Sequence, residues 1–127
     1  MPHPATRRVR RAIALIERRG TWLMARRAGP LLEGLWEPPG VELAGRRSAR
    51  RALGASLAAL GVRARLTRRG GTLRHRITHR ALEVECWIGR LVGPVPRRSD
   101  LRYVDPRAPS VAITALARRA WRAFVVS

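Results

Sequence analysis

The stretch over residues 40–62, GVELAGRRSARRALGASLAALGV, constrains this chain more than any other. A glycine-bounded loop runs into one helix, and a second glycine closes it. Ala49, Leu53, Leu57 and Leu60 recur at three- and four-residue steps, which lines them along one apolar stripe. Arg47, Arg51, Ala55, Ala58 and Ala59 fall on the opposite face. Ser48 or Gly45 supplies a start signal, and Gly61 sits where a C-terminal cap belongs. A loop and helix of this kind holds a metal and a phosphate when its exposed face carries carboxylates. Here that face carries none.

The flanking segments read mainly as strands. In residues 9–16 the run Ala12, Ile13, Ala14, Leu15, Ile16 is apolar on both faces, which suits a central strand covered on each side. Arg19-Gly20 is a turn signal, and residues 21–25 continue as the second arm of a hairpin. Residues 26–40 are punctuated by Gly29, Pro30, Gly34, Pro38 and Pro39, the marks of an irregular but fixed loop. Beyond the helix, residues 62–68 alternate at period two, and Gly70-Gly71 predicts a hairpin turn. Residues 72–78 and 82–91 are the next strands, and 101–104 a short one. Ser110 is a fair N-cap for a second helix over 111–124, with Ile113, Leu116, Ala117, Ala120 and Phe124 on one face. This order describes an α+β fold, a mixed β-sheet sandwiched between helices. Residues 1–8 read as a flexible lead-in and 9–127 as one domain.

Composition narrows the function. The chain has 127 residues, 46% of them hydrophobic, enough for one packed core. Lysine is absent, so all 27 basic residues are arginine, and the net charge is +19. Such a chain attracts polyanions at low salt, although the missing lysine reads as codon bias and part of the charge as compositional habit. The single cysteine, Cys86, excludes an internal disulfide and a four-thiolate cluster. It lies in an apolar run and reads as a buried, inert thiol. No apolar stretch suits a signal peptide or a membrane span, so the expected location is the cytoplasm, with no membrane partner.

Three segments together resemble a Nudix domain, and most of all the C-terminal domain of the MutY adenine DNA glycosylases. Residues 31–40, LLEGLWEPPG, are similar to that family's L-x-G-L-W-E-F-P-G. The spacing from Gly40 to Gly61-Val62 matches a Nudix box. Residues 74–79, RHRITH, look like its H-x-F-S-H loop, which faces the damaged base. The departure is as plain as the match. Where a working box has its first Glu this chain has Arg46. Gly54-Ala55 stand for Arg-Glu, and Ala58-Ala59 for Glu-Glu. Pyrophosphate hydrolysis needs a hard cation held by oxygen ligands, and no Asp or Glu occurs between Glu42 and Glu83. The expectation is therefore no catalytic residue, no metal site and no cofactor. The resemblance implies DNA as partner, with recognition of 8-oxoguanine. A separate glycosylase domain or protein would do the chemistry, since one cysteine cannot supply that family's iron–sulfur cluster.

The candidate base-reading residues are Ile77, Thr78 and His79. Oxidation at guanine C8 turns N7 from an acceptor into an N–H donor, and a hydroxyl such as that of Thr78 accepts from the lesion but not from guanine. Such a mismatch costs about 1–3 kcal/mol. The alternative is a hairpin corner whose Thr and His satisfy local backbone. Arg74, Arg76 and Arg80 flank this segment as phosphate contacts, or as a solvated face. Trp36 stacks on a base or anchors its own loop. His75 and His79 lack a third ligand, which makes metal binding the poorer reading. Two further functions stand beside DNA binding: a divergent Nudix hydrolase acting on a nucleoside diphosphate derivative, relying on Glu37 or Glu42, and a protein-interaction module.

Overall fold

The computed structural model describes residues 6–29 and 32–124. Strand β1 (Arg7–Arg18) is its trunk. Ala12 to Ile16 are all buried, as a run apolar on both faces requires. On one side β1 pairs antiparallel with β4 (Gly40–Leu43), and on the other parallel with β6 (Arg80–Leu91). Its end, Glu17 and Arg18, pairs with Trp22 and Thr21 of β2 (Thr21–Arg26). From there β2 diverges to pair with β3 (Trp36–Glu37) and β7 (Leu101–Val104). The sheet is mixed. β1 takes in Arg7 and Arg8, two residues of the lead-in expected over 1–8, while residues 1–5 lie outside the described ones.

The two helices cover opposite faces. Val9, Ile13 and Leu15 of β1 join Leu116, Ala117 and Ala120 of helix α2 (Ala115–Phe124) in one buried cluster. The alternate residues Ala12, Ala14 and Ile16 join Leu53 and Leu57 of helix α1 (Ala49–Ala59) in the other. Alternation along one strand thus divides the core into two layers. Trp22 closes the α2 side, with its ring edge-on to Trp121 at 5.3 Å between centroids.

Two expected boundaries move. Gly70-Gly71 does not turn the chain. Strand β5 (Ala64–Ile77) runs straight through it, with register shifts at Leu66/Arg68 and Arg69/Gly71. These are bulges, and Gly71 serves close packing there: a Cβ would stand 2.7 Å from Cε1 of Phe124. Nor does helix α2 begin after Ser110. Ala112 and Thr114 are held by backbone hydrogen bonds to Trp36, which keeps this segment extended. The helix starts only beyond it, where the Thr114 hydroxyl accepts from the Ala117 amide at 3.1 Å.

Cys86 is fully buried in the sheet, and burial pushes its thiol up to about 12. It should therefore resist a thiol-reactive dye in the native protein and react fully once denaturant unfolds it. Rapid native labelling would contradict this packing. No helix among the described residues is long and apolar enough to cross a membrane.

Candidate nucleic-acid interface and the box-side cavity

The β5–β6 hairpin and the first residues of β1 build an uncovered sheet face. Directly paired residues share a face. One row is therefore Arg10, Glu83 and Arg74, and the next is Arg8, Ala81 and Arg76. All four arginines are exposed. They continue the side of β1 that carries Ala12, Ala14 and Ile16, but lie beyond the reach of α1. Glu85 partly balances the patch, with ion pairs to Arg10 at 3.3 Å and Arg69 at 3.4 Å.

The turn at the hairpin's end is Thr78-His79, between the paired Ile77 and Arg80. Thr78 has φ 50°, a left-handed conformation that is unfavourable for a β-branched residue. Both turn residues are exposed, and the His79 carbonyl accepts from the Arg7 amide at 2.8 Å. Thr78→Gly should stabilise the fold by about 0.5–1 kcal/mol. Relief of about 1–2 kcal/mol of backbone strain is partly offset by glycine's greater freedom when unfolded. A denaturant midpoint below that of the parent would contradict the strained turn.

Thr78, His79, Arg74 and Arg76 therefore converge, and Arg8 and Arg10 join them. Sequence reasoning missed the last pair. The signal was there, since Arg8 and Arg10 extend the period-two register of Ala12, Ala14 and Ile16. Three other candidates are placed elsewhere. Ile77 packs against the α2-side core and is turned away from a base. Arg80 is half-buried and ion-paired to Glu42. Trp36 is buried, with the Arg102 guanidinium over its ring at 5.1 Å from the centroid. His75 also faces the α2 side, where its Nδ1 lies 3.0 Å from Arg119. Burial, and next the Arg119 charge, hold its pKa below the ordinary histidine value.

Helix α1 keeps the expected frame. The Ser48 side chain caps it by accepting from the Arg51 amide. Gly61, at φ 78°, ends it in a Schellman pattern, with Val62 N–H on Leu57 C=O and Gly61 N–H on Ala58 C=O, both at 2.9 Å. Gly40 admits no side chain, because a Cβ would lie 2.8 Å from the Ala12 carbonyl and 2.9 Å from Ile13 Cγ2. The Ser56 hydroxyl donates to the Gly40 carbonyl and ties helix to loop. The exposed face presents Arg47, Arg51, Ala55, Ala58 and Ala59.

Beside this helix lies a cavity of about 370 Å³, lined among others by Arg11, Arg26, Arg27, Glu37, Ser56 and Ala59. Among the described residues that line it, Glu37 is the only carboxylate, and it is buried. Its Oε1 takes an ion pair from Arg27 at 3.1 Å, and its Oε2 one from Arg11 at 3.4 Å. Burial lowers the pKa of the Arg11 guanidinium from its ordinary value, against the raising effect of Glu37. A hard divalent cation needs several oxygen ligands. One carboxylate already committed to two guanidiniums does not fit it. Among the described residues no cluster of His, Cys, Asp and Glu is arranged to hold a metal ion.

Comparison with known proteins places this frame. No curated protein sequence matches the chain significantly. The solution structure of the E. coli ORF135 protein is 23% identical, with 93% of each chain covered and a TM-score of 0.66. The MutT NUDIX hydrolase of Burkholderia pseudomallei is 16% identical over 92% of this chain and 98% of that one, with a TM-score of 0.74. The complex of the C-terminal domain of mouse MUTYH with human PCNA matches at 19% identity over 90% of this chain and 85% of that one, with a TM-score of 0.65. At these identities the likeness is one of fold. The NUDIX domain family model matches residues 11–123, nearly the whole chain, and this protein therefore belongs to the NUDIX domain family.

Proposed function

We propose that this is a non-hydrolytic NUDIX domain that binds DNA and contributes to recognition of oxidised guanine in DNA repair. The observation that carries the reading is the uncovered sheet face, where Arg8, Arg10, Arg74 and Arg76 stand in two adjacent rows next to the exposed Thr78-His79 turn. Arginines spaced along strands suit phosphate contacts, and the turn hydroxyl suits an N–H donor on a base edge. The alanines and arginines on α1, where a hydrolase would place metal-binding carboxylates, support the non-hydrolytic part. Likeness to the MUTYH domain supports the repair setting.

The test is a binding series with duplexes that carry 8-oxoguanine or guanine opposite adenine, repeated over salt. The reading expects tighter binding to the oxidised duplex by about tenfold, the worth of one well-placed hydrogen bond. Thr78→Gly should remove that difference and leave the salt dependence alone. Equal affinity for both duplexes would reduce the role to nonspecific polyanion attraction.

A second reading, a divergent hydrolase of a nucleoside diphosphate derivative, draws on Glu37 in the cavity and on the hydrolases among the similar structures. Metal-dependent turnover abolished by Glu37→Gln would establish it.

A further inference from the structure

Strand β5 has a free edge. It is the outermost strand on its side of the sheet and pairs only with β6. Among the described residues, no other backbone bonds to residues 64–77. The alternation of the ladders decides which groups stay open. The Ala14 amide donates to the Pro39 carbonyl on the β4 side, so Ile13 turns its amide and carbonyl to β6. In a parallel ladder Ile13 bonds the residues that flank its partner Cys86, which leaves Cys86 and Val84 facing β5. Their partners there are Gly71 and Leu73. Thr72, Arg74 and Arg76 therefore present amide and carbonyl outward. The Arg119 guanidinium agrees, since it donates to the Arg74 carbonyl where a neighbouring strand would. The side chains of Thr72, Arg74 and Arg76 are exposed on the arginine face, and Leu73 and Ile77 are half-buried on the α2 side.

We propose that residues 72–77 of this edge take up an extended acidic segment of a partner protein as an added strand. Its carboxylates lie beside Arg74 and Arg76, and its alternate apolar side chains beside Leu73 and Ile77. The partner's pattern is therefore acid and apolar at period two. The face stays positive once its own acids are counted. Glu83 stands opposite Arg74 and Glu85 opposite Thr72, against Arg8, Arg10, Arg69, Arg74 and Arg76, and Glu85 is already paired with Arg10 and Arg69. β5 itself carries five arginines and no acid. A second copy does not fit. Paired antiparallel about Arg74, it sets that arginine against itself, and like charges directly opposite are destabilising. Charge of one sign guards an edge against self-pairing and selects a partner of the other sign. The inference does not rest on DNA binding, although the two share Arg74 and Arg76.

The probe is a capped heptapeptide that alternates glutamate and valine, titrated into the full chain and followed by amide hydrogen exchange. Binding should slow exchange of the outward amides of Thr72, Arg74 and Arg76 by about tenfold or more. Methylating the peptide's own nitrogens separates strand pairing from charge attraction, because only alternate amides face β5. One alternating set of methyl groups should abolish binding, and the other should leave it within about threefold. The same peptide with lysine for glutamate should not bind. Arg74→Gln combined with Arg76→Gln should weaken binding about tenfold, as loss of two exposed ion pairs does. Both arginines are exposed, so this variant should fold, and the methylated peptides need no variant at all. Equal losses with both methylated peptides, unmoved exchange at the three amides, or full binding by the glutamine variant would overturn the proposal. So would protection of these amides in the free chain that grows with its own concentration, which would assign the edge to a second copy.

Discussion

Glu37→Ala is expected to destabilise the protein by about 3–5 kcal/mol, because it leaves two guanidiniums facing each other with their shared carboxylate gone. The side chain of Glu37 is only 4% exposed, and those of Arg11 and Arg27 only 13% and 19%. Water cannot replace the lost partner well. A domain of this size holds only about 5–15 kcal/mol in total, so the melting temperature should drop by roughly 10–20 °C. Glu42→Ala is the contrast. Glu42 also pairs with an arginine, Arg80, but its side chain is 48% exposed. Its loss should cost no more than about 1 kcal/mol. Thermal melts of the two variants side by side check the difference. A fall of less than a few degrees for Glu37→Ala would mean that the ion web does not hold the loop between β2 and β4.

The second large effect belongs to the sheet face. Replacing Arg8, Arg10, Arg74 and Arg76 together by glutamine should reduce duplex affinity by on the order of a thousandfold at about 0.1 M salt. It should flatten the slope of log affinity against log salt by about 3–4, one phosphate contact per arginine. Removing the same charge elsewhere, from the exposed Arg90, Arg97, Arg118 and Arg122, should cost less than about tenfold. Fluorescence anisotropy over a salt series measures both. Equal losses in the two variants would mean that the +19 charge acts as a diffuse cloud and that the face is no site.

Local pattern carried much of this fold. The five-residue apolar run at Ala12 to Ile16 marked the central strand, because only burial on both faces tolerates it. The stripe of Ala49, Leu53 and Leu57 marked the covered side of α1, and Gly61 its end. Where pattern misled, a distant partner had decided. Gly70-Gly71 has the composition of a turn, but β6 pairs along its whole length and Phe124 fills the space above Gly71. Ser110 has the chemistry of a cap, but the segment after it bonds to Trp36, far back in the chain. The proposed surfaces show the same division. Arg74, Arg76, Thr78 and His79 are near in sequence and were found together. Arg8 and Arg10 reach them through a parallel pairing across some seventy residues, as Arg8↔Ala81 and Arg10↔Glu83 show. The union of Arg11, Arg27 and Glu37 likewise depends on how β1, β3 and the residue just past β2 converge, and no spacing rule expresses it.

The central claim of the proposal is that the helix framed by Gly40 and Gly61 holds no divalent cation. Manganese binding tests this most directly, by electron paramagnetic resonance of free Mn²⁺ as the full chain is titrated in. The account predicts a free-ion signal undiminished up to millimolar protein, with or without Glu37→Gln. One tightly held Mn²⁺ per chain, released by that substitution, would contradict it.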